Sequence, residues 1–186
     1  APTGRYVASA SQDMTLRLWD TARIDGGVSD RGHRGSVHLV AFAPDHATLA
    51  SAGKDGVLRL WDVRSGAERH RLQVSDQPLN AVTYSPDGAM LATAGDDHVV
   101  RIHDARTGAT LRELSGHILP IYHLGWSPRG DRVASNSSEP LVRLWDPHTG
   151  AQAGEIPVID SFPGSTAFSP DGRSLAIATF AGGVQL

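Results

Sequence analysis

LASAGKDGVLRLWD, residues 49–62, holds two short strands and the turn that joins them. LASAG is small and apolar, KDG is a turn in which glycine accepts positive φ, and VLRLWD alternates apolar with polar residues. Working outward, VHLVAFAP and the turn-forming APDH precede this unit, and RSG followed by AERHRLQV comes after it. Proline presets the φ of a turn's first central position, so such turns have a local cause. The segment from 33 to 74 therefore reads as four successive strands. No stretch of the chain sustains a 3.6-residue apolar period, which predicts an all-β protein with almost no helix.

The unit recurs. Trp19-Asp20, Trp61-Asp62 and Trp145-Asp146 lie on a step of 42 residues, with His103-Asp104 filling the remaining place. APTG, APDH, SPDG, SPRG and SPDG begin at residues 1, 43, 85, 127 and 169, on the same step. Gly32-His33 and Gly116-His117 form a third series, with Val74-Ser75 between them. Three motifs sharing one period without an insertion identify a repeat architecture. About 4.4 repeats fit in the 186 residues.

Composition narrows the classes further. Forty per cent apolar and 20% charged residues describe a globular chain. No apolar run approaches the ~20 residues of a spanning helix. The opening APTGRYVASA lacks the basic start and apolar stretch of a signal peptide. With no cysteine, disulfides, thiolate zinc sites and a cysteine nucleophile are excluded. A net charge of −3 offers no broad attraction to nucleic acid or anionic membrane, so neither is expected as a partner.

Gly32-His33 followed by LASAGKDGVLRLWD resembles the pattern of the WD-repeat family of β-propellers, and the resemblance covers nearly the whole chain. The resemblance implies blades of four antiparallel strands within a larger, commonly seven-bladed ring. It divides residues 1–186 into a partial blade at 1–31, blades at 32–74, 75–116 and 117–158, and a partial blade at 159–186. It also implies a hydrogen-bonded chain of Trp, hydroxyl, His and turn Asp inside each blade. The second repeat has the full set, His33, Ser51, Asp55 and Trp61. The first has Ser9, Asp13 and Trp19. The fourth has His117, Ser135 and Trp145, with Glu139-Pro140 in place of the turn aspartate. The third keeps Thr93 and Asp97 but has Ser75 for histidine and His103 for tryptophan, so its network is expected to be broken. The fifth has Ile159, Ile177 and Ala181, and no network.

A set of Ser, His and Asp invites a catalytic reading. A hydrolytic triad, however, needs an exposed nucleophile and an oxyanion hole, and it does not recur with the period of the fold. The propeller-type alternative is a hydrolase or lyase with its site in the central channel. It needs carboxylates, histidines or a metal on the inner strands, which offer only His38, Asn80 and His123. No metal ligand set and no cofactor are expected.

The resemblance implies a non-catalytic scaffold that binds proteins or peptides, as in the sensor segments of large signalling proteins, with a cytoplasmic location. Both ends carry the same part of the repeat. This suggests either a segment of a longer propeller with further blades, or an open arc that self-associates. In the family, contacts gather on the face bearing the turns before the network aspartate and the starts of the inner strands. Those positions are Gln12, Lys54, Asp96, Ser138 and Phe180, then Ser36 and Phe162, then His38, Asn80 and Tyr122. They vary from blade to blade while the scaffold positions hold. Lys54, Asp96 and Tyr122 are expected to share one rim.

Overall fold

Period-two strands separated by tight turns leave each repeat one option, an antiparallel meander, and the computed structural model has that form. It describes residues 4–22, 32–159 and 161–186, with 28–30 as backbone only. The expected limits of the first partial blade, 1 and 31, lie outside the described residues. Those residues contain strands and no helix.

The first sheet comprises β1 (Tyr6–Ala10), β2 (Leu16–Asp20) and β3 (Val28–Asp30). The second comprises β4 (Val37–Phe42), β5 (Thr48–Gly53), β6 (Val57–Asp62) and β7 (Glu68–Gln73). The third comprises β8 (Leu79–Tyr84), β9 (Met90–Gly95), β10 (Val99–Asp104) and β11 (Thr110–Ser115). The fourth comprises β12 (Ile121–Trp126), β13 (Val133–Ser137), β14 (Leu141–Trp145) and β15 (Gln152–Pro157). The last comprises β16 (Pro163–Phe168), β17 (Leu175–Thr179) and β18 (Val184–Gln185). The sheets are the antiparallel blades of a propeller, each pairing only consecutive strands.

A single blade cannot bury both of its faces, so neighbours share a core. Ala50, Ala52, Leu58 and Leu60 of the second sheet close onto Leu79, Val82 and Leu91 of the third. Val100 and Ile102 meet Ile121, Leu124 and Val133 of the fourth in the same manner. The small alanines at the centre of each second strand let the next inner strand approach closely. Turn chemistry repeats too. Asp62, Asp104 and Asp146 each accept backbone N–H groups two and three residues on, and Gly66, Gly108 and Gly150 follow at positive φ.

Two irregularities also keep the period. The inner strands β4, β8, β12 and β16 each carry a bulge after their first residue. These bulges drop His38, Asn80, Tyr122 and Gly164 from the ladder, and such a residue is re-aimed away from its strand. Outer strands bulge likewise, dropping Arg69 and Leu111.

Tryptophan and glycine are sterically coupled. A Cβ on Gly32 would lie 2.7 Å from Cη2 of Trp61, and one on Gly116 would lie 3.2 Å from Cη2 of Trp145. The third repeat has Val74 where these glycines stand, and it has the smaller His103 in place of tryptophan. Gly32→Val should therefore cost about 1–3 kcal/mol by overpacking. Urea unfolding should show a lower midpoint, and an unchanged midpoint would mean that the indole lies elsewhere.

Candidate functional site

Each network residue stands where strand periodicity puts it. Ser51 on β5 and Trp61 on β6 point to one side of the sheet, and the loop before β4 brings His33 to them. Trp61 Nε1–H donates to Ser51 Oγ at 2.9 Å. Ser51 Oγ lies 2.8 Å from His33 Nε2, and His33 Nδ1 lies 2.8 Å from Asp55 Oδ1. The Asp55 carboxylate can only accept, so Nδ1 carries the proton, and Nε2 of the neutral ring accepts from the serine hydroxyl. Burial holds the His33 pKa below its ordinary value despite Asp55. Burial alone would raise Asp55, but His33 and the Arg34 backbone N–H hold its carboxyl below the usual range.

Ser51 is fully buried, with the indole and the imidazole on its hydroxyl. The first sheet has a looser version, with Trp19 Nε1 3.4 Å from Ser9 Oγ and Asp13 bonded to Thr15.

The fourth blade is complete. Trp145 Nε1–H donates to Ser135 Oγ at 2.8 Å, Ser135 lies 2.7 Å from His117 Nε2, and His117 Nδ1 bonds Glu139 Oε2. Glu139 thus does what Asp55 does. The turn explains the exchange. Met14, Gly56 and His98 take positive φ at the residue after the acid, and proline cannot. Pro140 reshapes the turn, and the extra methylene of glutamate spans the difference. Ser137 Oγ and Arg143 hold the same carboxylate.

The third blade is not simply broken, contrary to the expectation from its sequence. His103 is fully buried and occupies the place of the indole, its Nε2 2.8 Å from Thr93 Oγ1. Asp97, lacking a histidine, pairs with Arg101. That arginine belongs to a series that the sequence also displays, Arg17, Arg59, Arg101 and Arg143, two residues before each Trp or His. Each is paired with the turn acid or an outer-strand glutamate. The 42-residue step was sufficient to find them.

The rim residues separate into two groups. The re-aimed His38 lies 3.1 Å from Leu79 O and 3.2 Å from Asn80 Oδ1. Asn80 Nδ2–H donates to Asp96 Oδ1 at 2.7 Å and to Ile121 O at 3.2 Å. This polar chain crosses three blades and ends beside Tyr122. There the surface turns apolar: Tyr122, Ser137, Ser138, Phe162, Pro163, Gly164 and Phe180 line a cleft of about 440 Å³. Its aromatic walls are unusually open, with Tyr122 54%, Phe162 51% and Phe180 80% exposed.

Asp96 and Tyr122 therefore lie on one rim. Lys54 reaches the same end of its blade through its backbone bond to Ser36 O. Among the described residues, neither Lys54 nor Gln12 is hydrogen-bonded to the polar chain. Pro163 and Ser137 had no individual signal, because their place in the cleft depends on the register of β13 and β16. Among the described residues, no group of three His, Asp or Glu could hold a metal ion.

Four regions, residues 1–20, 28–62, 66–104 and 108–146, match the model of the WD domain, G-beta repeat. This chain belongs to the WD-repeat family. It is also similar to transducin beta-like protein 3 of Bos taurus, 46% identical over 48 residues. That similarity spans 26% of the WD-repeat chain and 6% of the bovine protein.

Buried His103 gives the WD-repeat core an acid limit. Burial and Arg101 depress its pKa to about 4, against ~6.5 in an unfolded chain. Its neutral form is thus favoured by folding. The associated stability is full above about pH 6.5 and is lost as pH falls toward 4, by up to about 3 kcal/mol. His103→Gln should flatten the stability profile between those limits in urea titrations. Parallel profiles for the variant and the parent would contradict this.

Proposed function

We propose that the chain is a non-catalytic docking scaffold whose rim binds an extended peptide segment of a partner protein. Protein interaction is the general role of WD repeats, and the peptide specificity is our reading. The observation that carries it is the juxtaposition of the open aromatic cleft with the polar chain ending at Asp96. Exposed aromatics in a depression are the usual anchors of recognition. A bulky apolar side chain suits the walls of Tyr122, Phe162 and Phe180, and a neighbouring basic residue suits the Asp96 carboxylate.

The non-catalytic reading rests on the partners of His38. Its contacts are a backbone carbonyl and an amide, and the carboxylate of that chain, Asp96, is bonded to Asn80 and not to the histidine. Further blades, or a second copy, would cover the faces on which Val7 and Val184 are exposed. A signalling role is part of the same proposal.

Selection from a random peptide library tests the reading. Peptides pairing an aromatic or large aliphatic residue with Lys or Arg should be enriched, and Phe180→Ala or Tyr122→Ala should weaken them tenfold or more. Binding that ignores both substitutions would overturn the proposal.

A further inference from the structure

At the opposite end of the strands, between the second and third blades, lies a smaller and chemically different cleft. It holds about 150 Å³ and is lined by Asp45, Thr48, Arg69, His70, Tyr84 and Arg106 among others. Tyr84 is 8% exposed, and its hydroxyl is buried without a hydrogen-bond partner. A buried O–H left unpaired costs ~1–3 kcal/mol. The equivalent inner-strand positions are Phe42, Trp126 and Phe168, so the packing does not need a hydroxyl here.

The charged groups around it are unevenly committed. Both oxygens of Asp45 are taken, by the N–H groups of Ala47 and Thr48 and by the Thr48 hydroxyl. Arg69, re-aimed by the bulge in β7, is steadied by Asp62 and Thr48. Its counterparts Leu111 and Ala153 carry no charge. The Arg106 guanidinium is exposed and has no acceptor among the described residues. Burial and the nearby Asp45 push the Tyr84 phenol above its usual range, so it remains a donor. Donors from three different segments thus line one cleft whose single acid is satisfied.

We propose that this cleft binds one phosphate group, with the Tyr84 hydroxyl and the Arg69 and Arg106 guanidinium groups donating to its oxygens. Guanidinium forks match phosphate geometry, and the oxygens of a phosphate can take donors from several sides. The volume limits the ligand. Sites for drug-sized molecules run ~300–1,000 Å³, so a nucleotide is too large and a single oxyanion fits. The phosphate could be free, or it could be carried by a serine or threonine of a partner.

Calorimetric and amide-NMR titrations with inorganic phosphate, at ionic strength matched with chloride, test the site. A phosphoserine peptide and its unphosphorylated form provide the second arm. Saturable phosphate binding is expected, with shifts at residues 45–48, 69–70, 84 and 105–106. Tyr84→Phe, which installs the residue of two other blades, and Arg106→Gln should each weaken it tenfold or more. Lys54→Gln, on the other rim, should leave it unchanged. Tighter binding of the phosphopeptide assigns a phosphorylated partner, and equal binding assigns the free ion. Absence of saturable binding, or parental affinity in Tyr84→Phe and Arg106→Gln, would overturn the proposal.

Discussion

In the second and fourth blades the structure hangs from the tryptophan indole and the serine oxygen beneath it. The bond joins the third strand to the second, and histidine and the turn acid extend it to the loop from the previous blade. Four elements that share little sequence contact are thereby tied at one buried point. Low local polarity makes each link matter, because a group left unpaired there has no water to turn to. The constellation of Ser, His and Asp in this chain is thereby a structural link. Its hydroxyl is spent on the indole and the imidazole, and both are sealed from solvent.

The variations between blades are concerted. Where tryptophan becomes His103, glycine becomes Val74 and histidine becomes Ser75, and the volume is redistributed within the blade. Where the turn receives Pro140, the acid lengthens to Glu139. Such paired changes preserve the function of the network while altering its members. The rim residues show no comparable pairing. His38, Asn80, Tyr122 and Gly164 share only the bulge that ejects them, which leaves their chemistry free to follow a ligand.

The fold was legible because its causes are local and repeated. The 42-residue step, the turn glycines and the alternating strands together specify stacked four-stranded sheets. The roles of Glu139 and His103 were not legible. The first depends on the backbone path around Pro140, and the second on a hydrogen bond to Thr93 that position alone does not reveal. The site was legible in part. Projection along the repeat picked out Tyr122, Phe162 and Phe180 one by one. Their convergence on Pro163 and Gly164 needs the register of two adjacent sheets. The cleft at Tyr84 was invisible for the same reason, since it draws on β7, β8 and the turn after β10.

The buried imidazoles are neutral links in a directional hydrogen-bonded chain. Nitrogen-15 NMR of the ring nitrogens of His33 and His117 tests this most directly. Rings neutral at pH 7 and protonated at Nδ1 are expected, with protonation of the second nitrogen displaced below the ordinary histidine value. A midpoint at or above the ordinary histidine value, or a neutral ring protonated on Nε2, would contradict it.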